Sequence, residues 1–443
     1  METVSDRVVV AFSGDGSGTE DLAWGQQDIW MSARRLGSWM PLGGVQPLPP
    51  GTTVEDMAGQ LGYMLGRYQV LRTKLLLDDL DRPRQVVHAD GVAALEVVDA
   101  GDTDPAVVAA EVHRRYTDTM LDFAAEWPIR MGVVRRHGHV THLVLVLSHL
   151  ATDALGARVM LREVATRDAT PVTGMQSLDQ ARWQRSPSGQ RQNQSALRHY
   201  ESILRTIAPR RFPQSRDVRP QPVWSGDFTS PAMRLAVAAV ADRTKLDAAT
   251  VLLAAFAVAL TRVTGVNPVV VRPFVGNRFR RGLADVVSTV AQSGLCALDV
   301  ADVPFGEALV RVKHAMMTVY KHAYHDPADF AALLDRVSRE RGTDVDVACF
   351  FNNRRAEDAP PPTSEVTPDV LAEALPRSVL RWTPTDKTPM RRTFTRVEPD
   401  TADALRLTML IDTNLLSPAD AEACLRGMET VTVEAACAVD ARL

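Results

Sequence analysis

The chain has 443 residues, of which 45% are apolar and 23% charged, with a net charge of −4 and an isoelectric point near 6.2. Its length exceeds one small core and suits two lobes, or three. The mildly acidic balance offers no global basic field for nucleic acid or an anionic membrane, so neither partner is expected.

The basic residues are lopsided. Lys74, Lys245, Lys313, Lys321 and Lys387 are the five lysines among 50 basic residues. That excess of Arg reads as a GC-rich, actinobacterial-type coding bias and gives no evidence of phosphate binding. The start, METVSDRVVVAFSGDGSG, has no basic n-region and no long apolar core, and runs such as Val251–Leu260 are too short to cross a bilayer. A cytoplasmic location is the expectation. Cys296, Cys349, Cys424 and Cys437 form no CxxC pair and read as free thiols, with neither a zinc site nor a disulfide frame indicated. P-loop, strand-borne GxGxxG, HExxH and GxSxG patterns are absent.

In chain order, Val8–Phe12 reads as a strand and Asp21–Arg35 as a helix. Pro41–Gly51, dense in Pro and Gly, reads as a loop. Val54–Tyr68 has helical period and leads into a strand at Lys74–Leu77. Short strands at Gln85–Val87 and Leu95–Val98 and a helix at Pro105–Thr119 follow. Ile129–Val134 is a strand that can hairpin through His137-Gly138 onto Val140–Leu147. From Gly174 to Pro231 the composition turns to Gln, Arg, Ser and Pro, with one helix at Ser195–Ile207, as in a connection between lobes. The second half repeats the order of elements of the first: helix Thr244–Val263, then strand Val269–Pro273. Helices Phe305–Tyr320 and Pro327–Arg339 precede a strand at Val345–Phe351 and an acidic, proline-rich loop at Ala356–Pro368. Strands Ser378–Thr383, Thr393–Val397 and Leu405–Ile411 and a helix Pro418–Ala435 complete a mixed α/β chain. Trp24, Trp30 and Trp127 read as core anchors. His314, His322 and His325 have helical spacing, but Asp326 alone accompanies them, and a structural or surface role outweighs a metal site.

Chemistry concentrates in Val140–Val164. An apolar run, Val140–Leu147, has the length of a strand buried on both faces. Ser148 and His149 follow at its end, and Thr152 or Asp153 can cap a helix with Ala154, Ala157, Leu161 and Val164 on one side. A histidine held there fits either a rigid base or a core histidine satisfied by a carbonyl. Ser148 as a nucleophile activated by His149 is disfavoured, because neighbouring residues at a strand end point to opposite faces.

SHLATDA, Ser148 to Ala154, resembles the HHxxxDG motif of nonribosomal peptide synthetase condensation domains and related CoA-dependent acyltransferases. Further segments resemble the family in its own order. Trp24-Gly25-Gln26-Gln27-Asp28-Ile29-Trp30 is similar to SxAQxRLW, and Arg67-Tyr68-Gln69-Val70-Leu71-Arg72-Thr73 to RHxxLRT. Leu121-Asp122-Phe123 with Trp127-Pro128-Ile129-Arg130 is similar to FDLxxxPLxR, and Val275-Gly276-Asn277-Arg278 to the Gly-Arg segment of the second lobe.

The resemblance implies a mixed α/β fold of two chloramphenicol-acetyltransferase-like lobes in a V with a central tunnel. The lobes would be 1–175 and 231–443, joined by 176–230, with loops of the second crossing back to the first. It implies His149 as the catalytic residue and Asp153 as a structural one, paired with an arginine for which Arg278 of the second lobe is the candidate. Ser148 and Ala154 depart from the motif and are expected to support the loop. Arg280 and Arg281, with Arg391 and Arg392, can meet an acidic carrier protein or its phosphopantetheine phosphate, although a solvated arginine face is the favoured reading for either group in so Arg-rich a chain. The expected activity is transfer of an acyl or aminoacyl group from an acyl or peptidyl carrier protein to an amine, less readily an alcohol, in specialised-metabolite biosynthesis. The acceptor would be a small molecule or carrier-bound. The length suits a free-standing, monomeric condensation unit with no metal or intrinsic cofactor, its 4'-phosphopantetheine arriving on the partner. The alternative is a non-catalytic module that recruits another enzyme or a carrier-bound peptide, or a tailoring relative. Among these, cyclisation is disfavoured because its DxxxxD motif is absent.

Overall fold

The structure is a computed structural model that describes residues 5–79, 81–213, 215, 217–355, 366–385, 393–399, 401 and 403–438. Two compact units are present. The first comprises residues 1–193, 276–292 and 326–328; the second comprises 194–275, 293–325 and 329–443.

The first unit is built on a five-stranded sheet in the order Ser5–Ser13, Asp90–Asp99, Ile129–Arg136, His139–Ser148, Pro41–Pro47. Asp90–Asp99 and Ile129–Arg136 run parallel, and the other neighbours are antiparallel. Alternation along His139–Ser148 explains its apolar run. Leu143, Leu145 and Leu147 face the core under helix Val54–Arg67, whereas Val144 and Val146 face the one under helix Pro105–Asp118. His137 and Gly138 close the hairpin with φ of 50° and 82°, the paired left-handed conformation that matches strand twist. Trp24 is buried, and Trp127 meets the Phe12 ring edge-on.

One expectation fails here. Pro41–Gly51 is not a loop throughout, because Pro41–Pro47 is an edge strand paired along His142–Ser148. Prolines are tolerated at an edge, where one side of the strand needs no partner. Gly43 has φ 153° there, and a Cβ on it would collide with the Leu145 carbonyl oxygen, so the close approach requires glycine. Asp21 also differs: it ends a strand, Gly18–Asp21, and the helix begins at Trp24.

In the second unit, strands Val269–Val275, Cys349–Asn353, Thr393–Val397, Leu405–Asp412, Val223–Ser230 and Val379–Pro384 lie side by side in that order. Helix Ala248–Thr264 is buried at every position from Thr250 to Leu260, and it packs with Pro231–Thr244, Phe305–His322 and Pro418–Cys437. Its apolar run therefore marks a core helix. Among the described residues no single helix is long and apolar enough to cross a membrane. The polar stretch from Gly174 holds more structure than its composition suggests, namely helices Ser177–Arg185 and Pro187–Thr206. Residues 356–365 of the acidic loop lie outside the described residues.

Candidate active site

Strand His139–Ser148 ends one residue before His149, and helix Ala154–Thr166 starts four residues after it. Between them the backbone is tied at almost every residue. The His149 N–H donates to the Met40 carbonyl (2.9 Å), and the His149 carbonyl accepts from Thr289 Oγ1. Met40 itself adopts φ 55°, an uncommon conformation for a side chain of its size, next to the fully buried Trp39 ring.

Ser148 is fully buried. Its hydroxyl donates to the Trp39 carbonyl (3.2 Å) and accepts from the Leu150 N–H (3.2 Å), so it is occupied by backbone. Asp153 is the N-cap, its Oδ1 accepting from the Gly156 N–H at 2.8 Å. The carboxylate is 3% exposed and gathers four further hydrogen bonds. Arg278 donates from both terminal nitrogens (2.7 and 3.0 Å), and the N–H groups of Val290 and Ala291 both reach Oδ2 at 3.0 Å. Arg278 also donates to the carbonyls of Gly276, Val286 and Ser288. This one guanidinium thus ties the loop 276–291 to the loop 149–153, with the planar fork matched to the carboxylate. Arg278 lies in the segment 276–292, which groups with the first unit.

Ala154 is the first helical residue and is exposed, so its methyl group meets no obstacle. The close approach belongs to Gly156, which the sequence reading did not single out. A Cβ there would lie 2.9 Å from Arg278 Nη2 and 3.1 Å from the Ser288 carbonyl, and would collide with Thr152 Oγ1. Its signal was a glycine in the first turn of a helix, where it costs stability unless something packs against it. Met40 and Thr289 had no readable signal, because neither lies near the motif in sequence.

His149 itself stays partly exposed, yet its Nδ1 is sealed without a hydrogen-bond partner among the described residues. Burial pushes the imidazole below the usual histidine value, outweighing its own and the Thr152 carbonyl and the carboxylates of Asp153 and Asp28, which favour the charged form. The displacement favours the neutral ring, the form that can accept a proton.

The remaining candidates are scattered. Arg280 lies over the Phe279 ring (5.5 Å) and Arg281 is exposed, whereas Arg391 and Arg392 lie outside the described residues. His322 and His325 are buried in the second unit among His199, Tyr200 and Phe330. Among the described residues no group of three or more His, Cys, Asp or Glu is placed to hold a metal ion.

Residues 48–367 match the family model of the condensation domain. The chain belongs to the condensation-domain family. A relative, the probable non-canonical nonribosomal peptide synthetase CymA of Salinispora arenicola, is 26% identical over an alignment of 352 positions that covers 73% of this chain and 4% of that protein. A solved structure on condensation domain-mediated chain release from the enacyloxin polyketide synthase matches with a TM-score of 0.72 at 20% identity, covering 97% of this chain and 85% of that one. The X-domain from teicoplanin biosynthesis, also solved in complex with OxyB, matches with a TM-score of 0.69 at 18% identity over 96% of each chain. At these identities the two structures establish a shared mixed α/β condensation-domain fold. Condensation domains generally catalyse amide-bond formation with carrier proteins that bear phosphopantetheine, and some members, the X-domains, are non-catalytic.

Proposed function

We propose that this condensation domain transfers an acyl or aminoacyl group from a carrier-protein thioester to an amine acceptor in specialised-metabolite biosynthesis, with His149 as its catalytic residue. The observation that carries the reading is His149 itself: a partly open imidazole, biased by burial toward its neutral form, on a loop whose backbone is clamped from both sides.

In the proposed step the amine nitrogen attacks the thioester carbonyl and a C–N bond forms. The C–S bond then breaks, and the pantetheine sulfur leaves as thiolate. His149 orients the amine and takes the proton it sheds, which then reaches the thiolate, so the products are an amide and a free thiol. With Nδ1 sealed, Nε2 is the nitrogen left to meet the amine. An α-amine with a pKa of about 8 is partly neutral at pH 7, so orientation carries much of the effect. An alcohol acceptor would require full general-base action. The supporting roles go to Asp153 and Arg278, which fix the loop, and to Ser148, whose hydroxyl performs a backbone-holding task suited to the motif's first position. Ala154 continues the helix. Arg280 and Arg281 are proposed contacts for the carrier.

Ser148 in place of the motif's first histidine favours a second reading, a module that binds a carrier or a partner enzyme without turnover. Intact-protein mass spectrometry of acyl-loaded carriers with amine acceptors separates the two. Unloading of the carrier by the wild type, slowed about 100-fold or more in His149→Ala, is the expected result. Equal rates for the two proteins sink the base assignment, and carrier binding without unloading supports the recruiting module.

A further inference from the structure

Helix Ala154–Thr166 turns Gly156, Val159, Met160 and Val164 inward. Its outer face is unusual for a helix with so well packed an inner one. Leu155 is 39% and Leu161 50% exposed, and they flank the exposed Arg158 and Arg162. Scattered apolar residues on a surface need no explanation, but these continue into a neighbouring segment. Phe279, 63% exposed with the Arg280 guanidinium over its ring, and Arg281 lie on the loop that carries Arg278. Two contacts join loop and helix. A Cβ on Gly276 would sit 2.7 Å from Leu155 Cδ1, and Arg162 pairs with Asp285 at 3.0 Å.

The charge of this face is opposite to that of the whole chain, which is −4. Arg158, Arg162, Arg280 and Arg281 stand against Asp285, while the helix's own Glu163 is turned away onto Arg67 and Tyr68, at 2.7 Å from each. An apolar centre with an arginine rim has the composition of a protein-docking patch and selects an acidic partner. We infer that Leu155, Arg158, Leu161, Phe279 and Arg281 form the docking surface for the acidic carrier protein that delivers the thioester. The identity of the occupant rests on the proposed function. Its location rests on continuity, since the helix begins at Asp153, on the loop that presents His149, and the patch shares its second segment with Arg278.

Fluorescence anisotropy with holo-carrier proteins of net negative charge, and with their apo forms, tests the surface without requiring turnover. The double variant Arg158→Glu/Arg281→Glu and the single variant Leu161→Ser alter exposed side chains, and their melting curves check that the fold is kept. Each is expected to weaken binding about tenfold or more, and the charge reversals also flatten the dependence on salt. Arg114→Glu, an exposed reversal on helix Pro105–Asp118, is expected to leave binding unchanged. In turnover, the variants raise KM for carrier-borne donors and leave small acyl-pantetheine thioesters unaffected. Unchanged binding, equal weakening by Arg114→Glu, no wild-type binding to any carrier, or weakened binding of a partner enzyme alone overturns the inference. Variant-sensitive binding by a wild type that never unloads its donor upholds the surface and defeats the proposed transfer.

Discussion

Two histidines, one in each unit, show how differently the same side chain can be placed. Burial lowers the affinity of both for a proton. His325 is 2% exposed, pressed edge-on between the rings of Tyr200 (5.0 Å) and Phe330 (5.5 Å), and held to a pKa of about 3 by burial and then by the Arg272 charge. It is a packing element whose ring no substrate can reach. His149 keeps part of its surface open, and the nearest charges are carboxylates, which favour its protonated form. The difference lies in the backbone too. His149 sits on a loop pinned by Met40, Thr289 and the Asp153–Arg278 pair, so its ring can be left uncovered without losing its position.

The largest expected effect divides the two directly. His149→Ala should lower carrier unloading by about 10²–10⁴-fold with little change in melting temperature. His325→Ala should leave the unloading rate of folded protein intact and lower the melting temperature, through a loss of about 2–4 kcal/mol of buried packing. Comparable rate losses in the two would erase the distinction. Next, Arg278→Met leaves the Asp153 carboxylate buried and uncompensated, at a cost of about 3–5 kcal/mol in urea unfolding, and it should slow transfer by freeing the loop. Gly156→Ala should cost about 2 kcal/mol, because the methyl group must displace Arg278 or Thr152.

The pH dependence sharpens the contrast more gently. A depressed histidine binds its proton more readily in the unfolded chain, so stability is complete above about pH 6.5 and declines as pH falls, for His325 until about pH 3. The slope from one such group approaches about 1.4 kcal/mol per pH unit. His325→Phe should flatten the unfolding free energy between pH 6.5 and 4.5, above the window in which ordinary glutamates titrate; an unchanged slope there would place the proton elsewhere. For His149, the base proposed for transfer, the same displacement favours the neutral ring, so the acid limb of transfer should fall below the ordinary histidine value. The smallest effect belongs to Ala154→Gly. At an exposed first helical position it should cost less than about 1 kcal/mol and leave transfer unchanged.

Sequence alone carried the parts that depend on near neighbours. The apolar run from Val140 to Leu147 gives a strand with two buried faces, because successive side chains must point opposite ways. Thr152-Asp153 before an amphipathic run gives a cap, which the structure assigns to Asp153, whose carboxylate reaches an N–H three residues on. The order of the motifs along the chain placed His149 in the condensation-domain pattern, and the match over residues 48–367 established that family. Tertiary structure decided what depends on distant backbone. Pro41–Pro47 looked like a loop until the edge of His139–Ser148 gave it a partner, since pairing is a property of two segments. Asp153 receives Arg278, Val290 and Ala291 from more than a hundred residues away, a convergence no local period encodes. Gly156 proved to be the crowded glycine and Ala154 the free position, because crowding is set by the packed Ser288 segment rather than by the residue's place in a motif. Burial, which lowers the proton affinity of both histidines but seals only His325, likewise exists only once the chain has folded around them.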